Sequence, residues 1–180
     1  MSGKFSRNDL YFWVSWIGLH TILDIILVII FRYSPFRNRI SSEELLAVGI
    51  LITMIILTLG QSFILRKFYL IPFTWFWATL IGYLLGGIVG SIFEGIFEIS
   101  GPISSGFTGI PLGFMQWMIL RGRVEKAWWW IIAVPLVVIV SDLREPSLFS
   151  GYGLLTGLIL IWLMRNPIID EENRPEPVLK

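Results

Sequence analysis

TWFWATLIGYLLGGIVGSIFEGIF, residues Thr74 to Phe97, decides how the rest of the chain is read. Its first part, Thr74 to Phe93, carries no charge, and at 1.5 Å rise per residue it reaches ~30 Å, close to the thickness of a bilayer's hydrocarbon core. That is the pattern of a transmembrane helix. Within it Ala78, Gly82, Gly86 and Gly90 recur every four residues, a small-xxx-small row that lets another helix backbone approach closely and gain van der Waals contact. The row predicts a helix central in a bundle. It drifts by ~40° per step on a 3.6-residue helix, so Glu94 continues the seam approximately while Glu98 has rotated well off it.

The whole chain agrees with that solvent. Its 180 residues are 55% hydrophobic and 15% charged, with a mean hydropathy of +0.74, which suits one integral membrane domain. The net charge of +1 and the lack of any basic run exclude a nucleic-acid partner. With no cysteine, disulfides, thiolate metal sites and cysteine nucleophiles are excluded as well. The apolar segment that follows MSGKFSRNDL is too long for a signal-peptide core and lacks a small-residue cleavage site, so it is expected to be retained as a first span.

Six apolar segments follow from hydropathy: about Leu10 to Phe31, Leu45 to Leu65, Thr74 to Phe93, Ser104 to Leu120, Ala127 to Val140 and Leu148 to Met164. If all six cross with both termini inside, Lys4, Arg7, Arg66, Lys67, Arg121, Arg123, Lys126, Arg165, Arg174 and Lys180 are cytoplasmic. Only Arg32, Arg37, Arg39 and Arg144 lie outside, so the positive-inside rule favours this topology. All nine tryptophans fall near the cytoplasmic ends of their segments and are expected to form one headgroup belt. Gln61, Ile64, Leu65, Arg66, Trp75 and Ala78 recur as Gln116, Ile119, Leu120, Arg121, Trp130 and Ala133, with a fainter echo in Gly157 to Arg165. The expected fold is all-α and integral to the membrane: six transmembrane helices arranged as three pseudo-repeated hairpins over residues 1–165. Residues 166–180, rich in proline and acids, are expected to be a mobile cytoplasmic tail.

Glycine and proline are concentrated late in the chain, at Gly106, Gly109, Pro111, Gly113, Pro135, Gly151, Gly153 and Gly157. They weaken regular helix, and such interruptions line either protein or a cavity. A ligand pocket between segments four and six would draw hydroxyls from Ser104, Ser105, Thr108, Ser147, Ser150 and Tyr152, with Glu94 and Glu98 nearby. The alternative is that these glycines serve close helix packing alone.

Ionisable groups inside spans are functional candidates because each costs ~2.5–3.5 kcal/mol on the insertion scale. His20 and Asp24, one turn apart on the first span, offer a proton relay, a cation site or a single axial ligand to a tetrapyrrole metal. The alternative is mutual neutralisation, His20 donating to Asp24. Glu94 and Glu98, with Asp142, Arg144 and Glu145, offer a divalent-cation or cationic-ligand site, or simply a hydrated boundary. Gln61 and Gln116 are expected to find interhelical partners, and Arg66 and Arg121 to anchor the cytoplasmic boundary. No HExxH, GxSxG or Walker loop occurs and His20 is the sole histidine, so no catalytic residue, metal or cofactor is assigned.

The paired segments Gln61 to Arg66 and Gln116 to Arg121, each followed by a Trp-led span, resemble a loose group of bacterial multi-pass proteins, common in cyanobacteria, with repeated Q-W-x-x-L-R hairpins. The second copy, QWMILR, matches fully, and the first has Ser62 in place of Trp. The resemblance covers roughly residues 57 to 135 and implies a fold type without an activity. It also implies a bacterial inner or thylakoid membrane. In size, span number and termini the chain is similar to the substrate-binding subunits of energy-coupling-factor vitamin transporters, whose ligands bind toward the outer face. The foremost expectation is a non-catalytic subunit of a larger membrane complex, docking a membrane-protein partner or a second copy through the glycine groove of the third helix and the tryptophan-rich inner rim. A ligand-binding or transport subunit with an outer pocket stands second, and a lipid-modifying enzyme built on Asp24 and His20 third.

Overall fold

The computed structural model describes residues 5–33, 42–143 and 148–168. Among them are six helices: α1 (Arg7–Tyr33), α2 (Ser42–Tyr69), α3 (Thr74–Phe97), α4 (Pro102–Leu120), α5 (Trp129–Asp142) and α6 (Leu148–Met164). The only β feature described is an isolated bridge between Val124 and Pro167.

Local chemistry sets several of the helix ends. Ser6 caps α1 reciprocally: its hydroxyl accepts from the Asp9 N–H (3.1 Å), while the Asp9 carboxylate accepts from the Ser6 N–H (2.8 Å). Pro102 occupies the first turn of α4, where its missing N–H has no helical partner to lose. The C-terminal ends of α2 and α3 turn through Leu70 (φ 53°) and Glu98 (φ 54°), left-handed positions held by an ordinary side chain rather than glycine.

Short connections make successive helices antiparallel neighbours. Each packs on the next, and α6 returns to α1, so the six close into a ring. One end of the ring gathers Arg7, Arg66, Lys67, Arg121 and Arg165 and is called the basic end; the other carries Glu94, Glu98 and Asp142. Contacts tie the basic end together: Arg165 pairs with Asp9 at 2.7 Å, Arg123 reaches the Leu70 carbonyl, and Ile168 donates to the Arg123 carbonyl at 3.0 Å. The first residues of the expected tail, Asn166 to Ile168, are thus paired with the α4–α5 connection; 169–180 lie outside the described residues.

The chain is a helical membrane protein. Arg7–Ile29, Val48–Tyr69 and Thr74–Phe97 are each long and apolar enough to cross a bilayer. The other three helices are shorter, at 19, 14 and 17 residues. Outward-facing Val14, Ile22, Ile25, Val28 and Ile88 are all more than half exposed, an apolar coat that suits lipid rather than water. In that solvent burial of apolar surface between helices gains little, so close packing and interhelical hydrogen bonds must hold the ring.

Two expectations change. Glycine and proline do not break segments four to six: α4 runs continuously through Pro111, and α5 through Pro135. The freed backbone groups coincide with close approach instead, since a Cβ on Gly109 would lie 2.9 Å from the Pro135 Cα. Nor do nine tryptophans form one belt. Trp16, Trp75 and Trp130 are at most 1% exposed and belong to the core, leaving Trp77, Trp128, Trp129 and Trp162 exposed near the basic end. An indole is buried where its N–H has an acceptor, and each of these three has one.

Candidate functional site

Three buried indoles, one on each odd-numbered helix, donate to a side chain of the helix before it in the ring. Trp75 Nε1 donates to Gln61 Oε1 (3.5 Å), Trp130 Nε1 to Gln116 Oε1 (2.8 Å) and Trp16 Nε1 to Thr156 Oγ1 (3.0 Å). The amide nitrogens complete the pattern on the other side. Gln116 Nε2 donates to Thr79 Oγ1 at 2.9 Å, so Gln116 joins α3, α4 and α5. Gln61 Nε2 lies 3.3 Å from His20 Nε2, so Gln61 joins α1, α2 and α3.

His20 is consumed by this network. Its Nδ1 stands 2.7 Å from the Trp16 carbonyl, which can only accept; Nδ1 therefore carries the proton, and Nε2 accepts from Gln61. The ring is fully buried between Trp16 and Tyr152, with Gly153 pressed so close that a Cβ would lie 2.7 Å from the imidazole. Neither nitrogen has a lone pair for a metal, which removes the axial-ligand version of the His20 candidate. The expected donation from His20 to Asp24 is replaced by the bond to the Trp16 carbonyl, one turn away; Asp24 is half-buried.

The small-residue row of α3 is occupied by this chain's own α4. A Cβ on Gly82 would lie 2.7 Å from the Leu112 Cα, one on Gly86 2.3 Å from the Thr108 carbonyl oxygen, and one on Gly90 2.4 Å from the Thr108 methyl. Ala78, at the head of the row, is buried too. The groove expected to receive a partner is thus filled within the protein. Glycines of α4 pack in the same way on α5, and Gly153 and Gly157 of α6 on α1.

Toward the acidic end the ring opens into a cavity of about 310 Å³. Ser105, Thr108 and Tyr152, three of the hydroxyl residues expected in a pocket, line it. Helices α2 to α6 all contribute, adding Met54, Tyr83, Gly87, Val138, Ser141 and Asp142. Asp142 Oδ2 accepts from Ser105 Oγ at 2.7 Å, and Thr108 Oγ1 turns back to the Ser105 carbonyl at 2.5 Å. Ser141 Oγ is buried with no hydrogen-bond partner among the described residues. Buried hydroxyls are normally satisfied, so an orphan at a cavity wall marks a place where something else supplies the bond. The Tyr152 ring stands against His20 at 5.7 Å between centroids, so the Gln61 network buttresses the cavity wall.

Glu94 and Glu98 do not reach the cavity. Glu94 accepts from Ser104 Oγ at 2.5 Å across the α3–α4 turn, which takes Ser104 out of the lining, and Glu98 caps α3. No cluster of three or more His, Asp or Glu able to hold a metal occurs among the described residues; Arg144, Glu145 and Ser147 lie outside them, as does the Ser150 side chain. Sequence reasoning missed Tyr83, Ser141 and Val138 as lining residues. The available signal was Tyr83, a phenol in the middle of a charge-free span, where its hydroxyl needs a partner or a cavity.

Compared with known proteins, the chain matches no family model, no curated protein and no solved structure.

Proposed function

We propose that this protein is a ligand-binding or transport subunit whose small-molecule ligand occupies the cavity bounded by α2 to α6. All six helices cross the membrane in this reading, with both termini cytoplasmic and the cavity facing outward. Support for the orientation comes from the cationic residues gathered at one end and from the exposed tryptophans Trp77, Trp128, Trp129 and Trp162 near it. The recurring indole-to-acceptor bonds support three pseudo-repeated hairpins, α2–α3, α4–α5 and, across the termini, α6–α1. The same Gln–Trp pairs underlie the resemblance to the Q-W-x-x-L-R proteins of bacterial or thylakoid membranes.

The observation that carries the proposal is the cavity itself. Its walls are mostly apolar, and its few polar groups converge from different helices, the usual make-up of a small-molecule site. That the α3 glycines pack on α4, and that both His20 nitrogens are hydrogen-bonded, weigh toward the cavity as the functional feature.

Gly87 provides the test. A Cβ there meets nothing within 4 Å, so Gly87→Leu adds bulk at the cavity wall from a position where the side chain can start without a clash. Native mass spectrometry after mild-detergent purification is expected to show a small-molecule adduct on the wild-type protein that Gly87→Leu lacks. An adduct of equal occupancy on both proteins, or a partner protein and no small molecule, would overturn the proposal.

A further inference from the structure

Resting on that reading, the geometry points to a ligand class: a single-chain amphiphilic cation, an alkylamine or alkylammonium, whose head sits at Asp142 and whose chain leaves sideways between α2 and α3. The charge pattern comes first. Among the described residues Asp142 is the only charged one lining the cavity, and no Lys, Arg or His among them lines it. Its Oδ2 accepts from Ser105, and no donor among the described residues engages Oδ1. A carboxylate beside a low-dielectric wall attracts a cation and repels an acid, and an anionic or phosphate head would find no positive partner among the described lining residues. Tyr83 and Tyr152 add aromatic rings, whose faces attract ammonium groups, and the buried Ser141 hydroxyl can bond an N–H or a bound water.

The route of the chain follows from a second, open groove. It runs along α2 and α3 past Leu84, Ile88, Ile92 and Ile96, and it shares Met54, Tyr83 and Gly87 with the cavity. Ile88, in the middle of α3, is 58% exposed, so the groove opens sideways at that level. A cavity that is polar at its acidic-end rim and continuous with an apolar trough to the bilayer suits a ligand with a charged head and one hydrocarbon chain. Its entrance is lateral.

Binding of tritiated decyltrimethylammonium to the full chain in dodecyl maltoside tests this, with decylamine, decanol and decanoate as competitors of equal chain length. Decylamine is expected to compete, with decanol and decanoate roughly tenfold weaker or more. Asp142→Asn, which keeps the shape and an acceptor for Ser105, is expected to weaken cation binding by a similar factor. Gly87→Leu is expected to abolish it, whereas Gly95→Leu, equally open but away from the cavity, leaves it intact. Equal competition by decanol or decanoate, or unchanged binding in Asp142→Asn, overturns the cationic class while leaving the cavity reading standing. Undiminished binding in Gly87→Leu overturns both.

Discussion

Adjacent glycines on α3 give opposite expectations, and the difference can be worked from the structure. A methyl on Gly86 would lie 2.3 Å from the Thr108 carbonyl oxygen, which is backbone and cannot rotate away. Restoring ordinary contact at 3.4 Å requires α4 to retreat by about 1 Å. That retreat also opens the Gly82–Leu112 and Gly90–Thr108 contacts, and a gap of about 0.5–1 Å forfeits a quarter to a half of each contact's attraction. Overpacking of this kind costs about 1–3 kcal/mol. In water the better helix propensity of alanine would offset part of it, but chains unfolded in a micelle stay largely helical, so little compensation is expected. Gly87→Ala, whose methyl meets nothing within 4 Å, is expected to be neutral. Titration of dodecyl maltoside micelles with sodium dodecyl sulfate, followed by tryptophan fluorescence, measures both. Equal stability of Gly86→Ala and Gly87→Ala would refute the close α3–α4 packing on which the fold is built.

The polar networks give further expectations. Gln116→Leu strands the Trp130 N–H and the Thr79 hydroxyl in an apolar interior and should cost about 1–2 kcal/mol in the same titration, while an unchanged midpoint contradicts the network. His20→Phe should leave the absorption spectrum of the purified protein unchanged, since both ring nitrogens are already bonded; a visible band lost on substitution contradicts that assignment. At the basic end, Asp9→Ala removes the α1 cap and the Arg165 pair together and should cost about 1–2 kcal/mol, whereas Arg165→Ala leaves the cap in place while removing the partly exposed pair and the contact with the Phe5 ring, and should cost less than about 1 kcal/mol. Equal losses in the two variants would remove the cap from the explanation.

Much of this architecture is legible in the sequence, and the exceptions have physical reasons. The helix of residues 74 to 97 declares itself by a charge-free run and a four-residue glycine row, and the late helices by apolar runs between basic and acidic punctuation. The row does not say which helix fills it, because a partner's backbone and this chain's own α4 satisfy small residues equally well. Trp16, Trp75 and Trp130 read as belt residues because a tryptophan near a span end suits headgroups. Their burial depends on acceptors at Thr156, Gln61 and Gln116, reached only once the helices pair antiparallel. Ser105, Thr108 and Tyr152 could be picked out as hydroxyls among glycines. Val138 and Ser141 sit in an apolar helix whose pattern carries no mark of the cavity it borders.

The cavity is the central claim, and the absence of cysteine allows it to be probed with a single introduced thiol. Val138 borders the cavity on α5, and Val134, one turn nearer the basic end, is fully buried. In the folded protein Val138→Cys is expected to react with a small, water-soluble cationic methanethiosulfonate while Val134→Cys stays silent. Silence at both positions, or equal labelling at both, would contradict a cavity in this place.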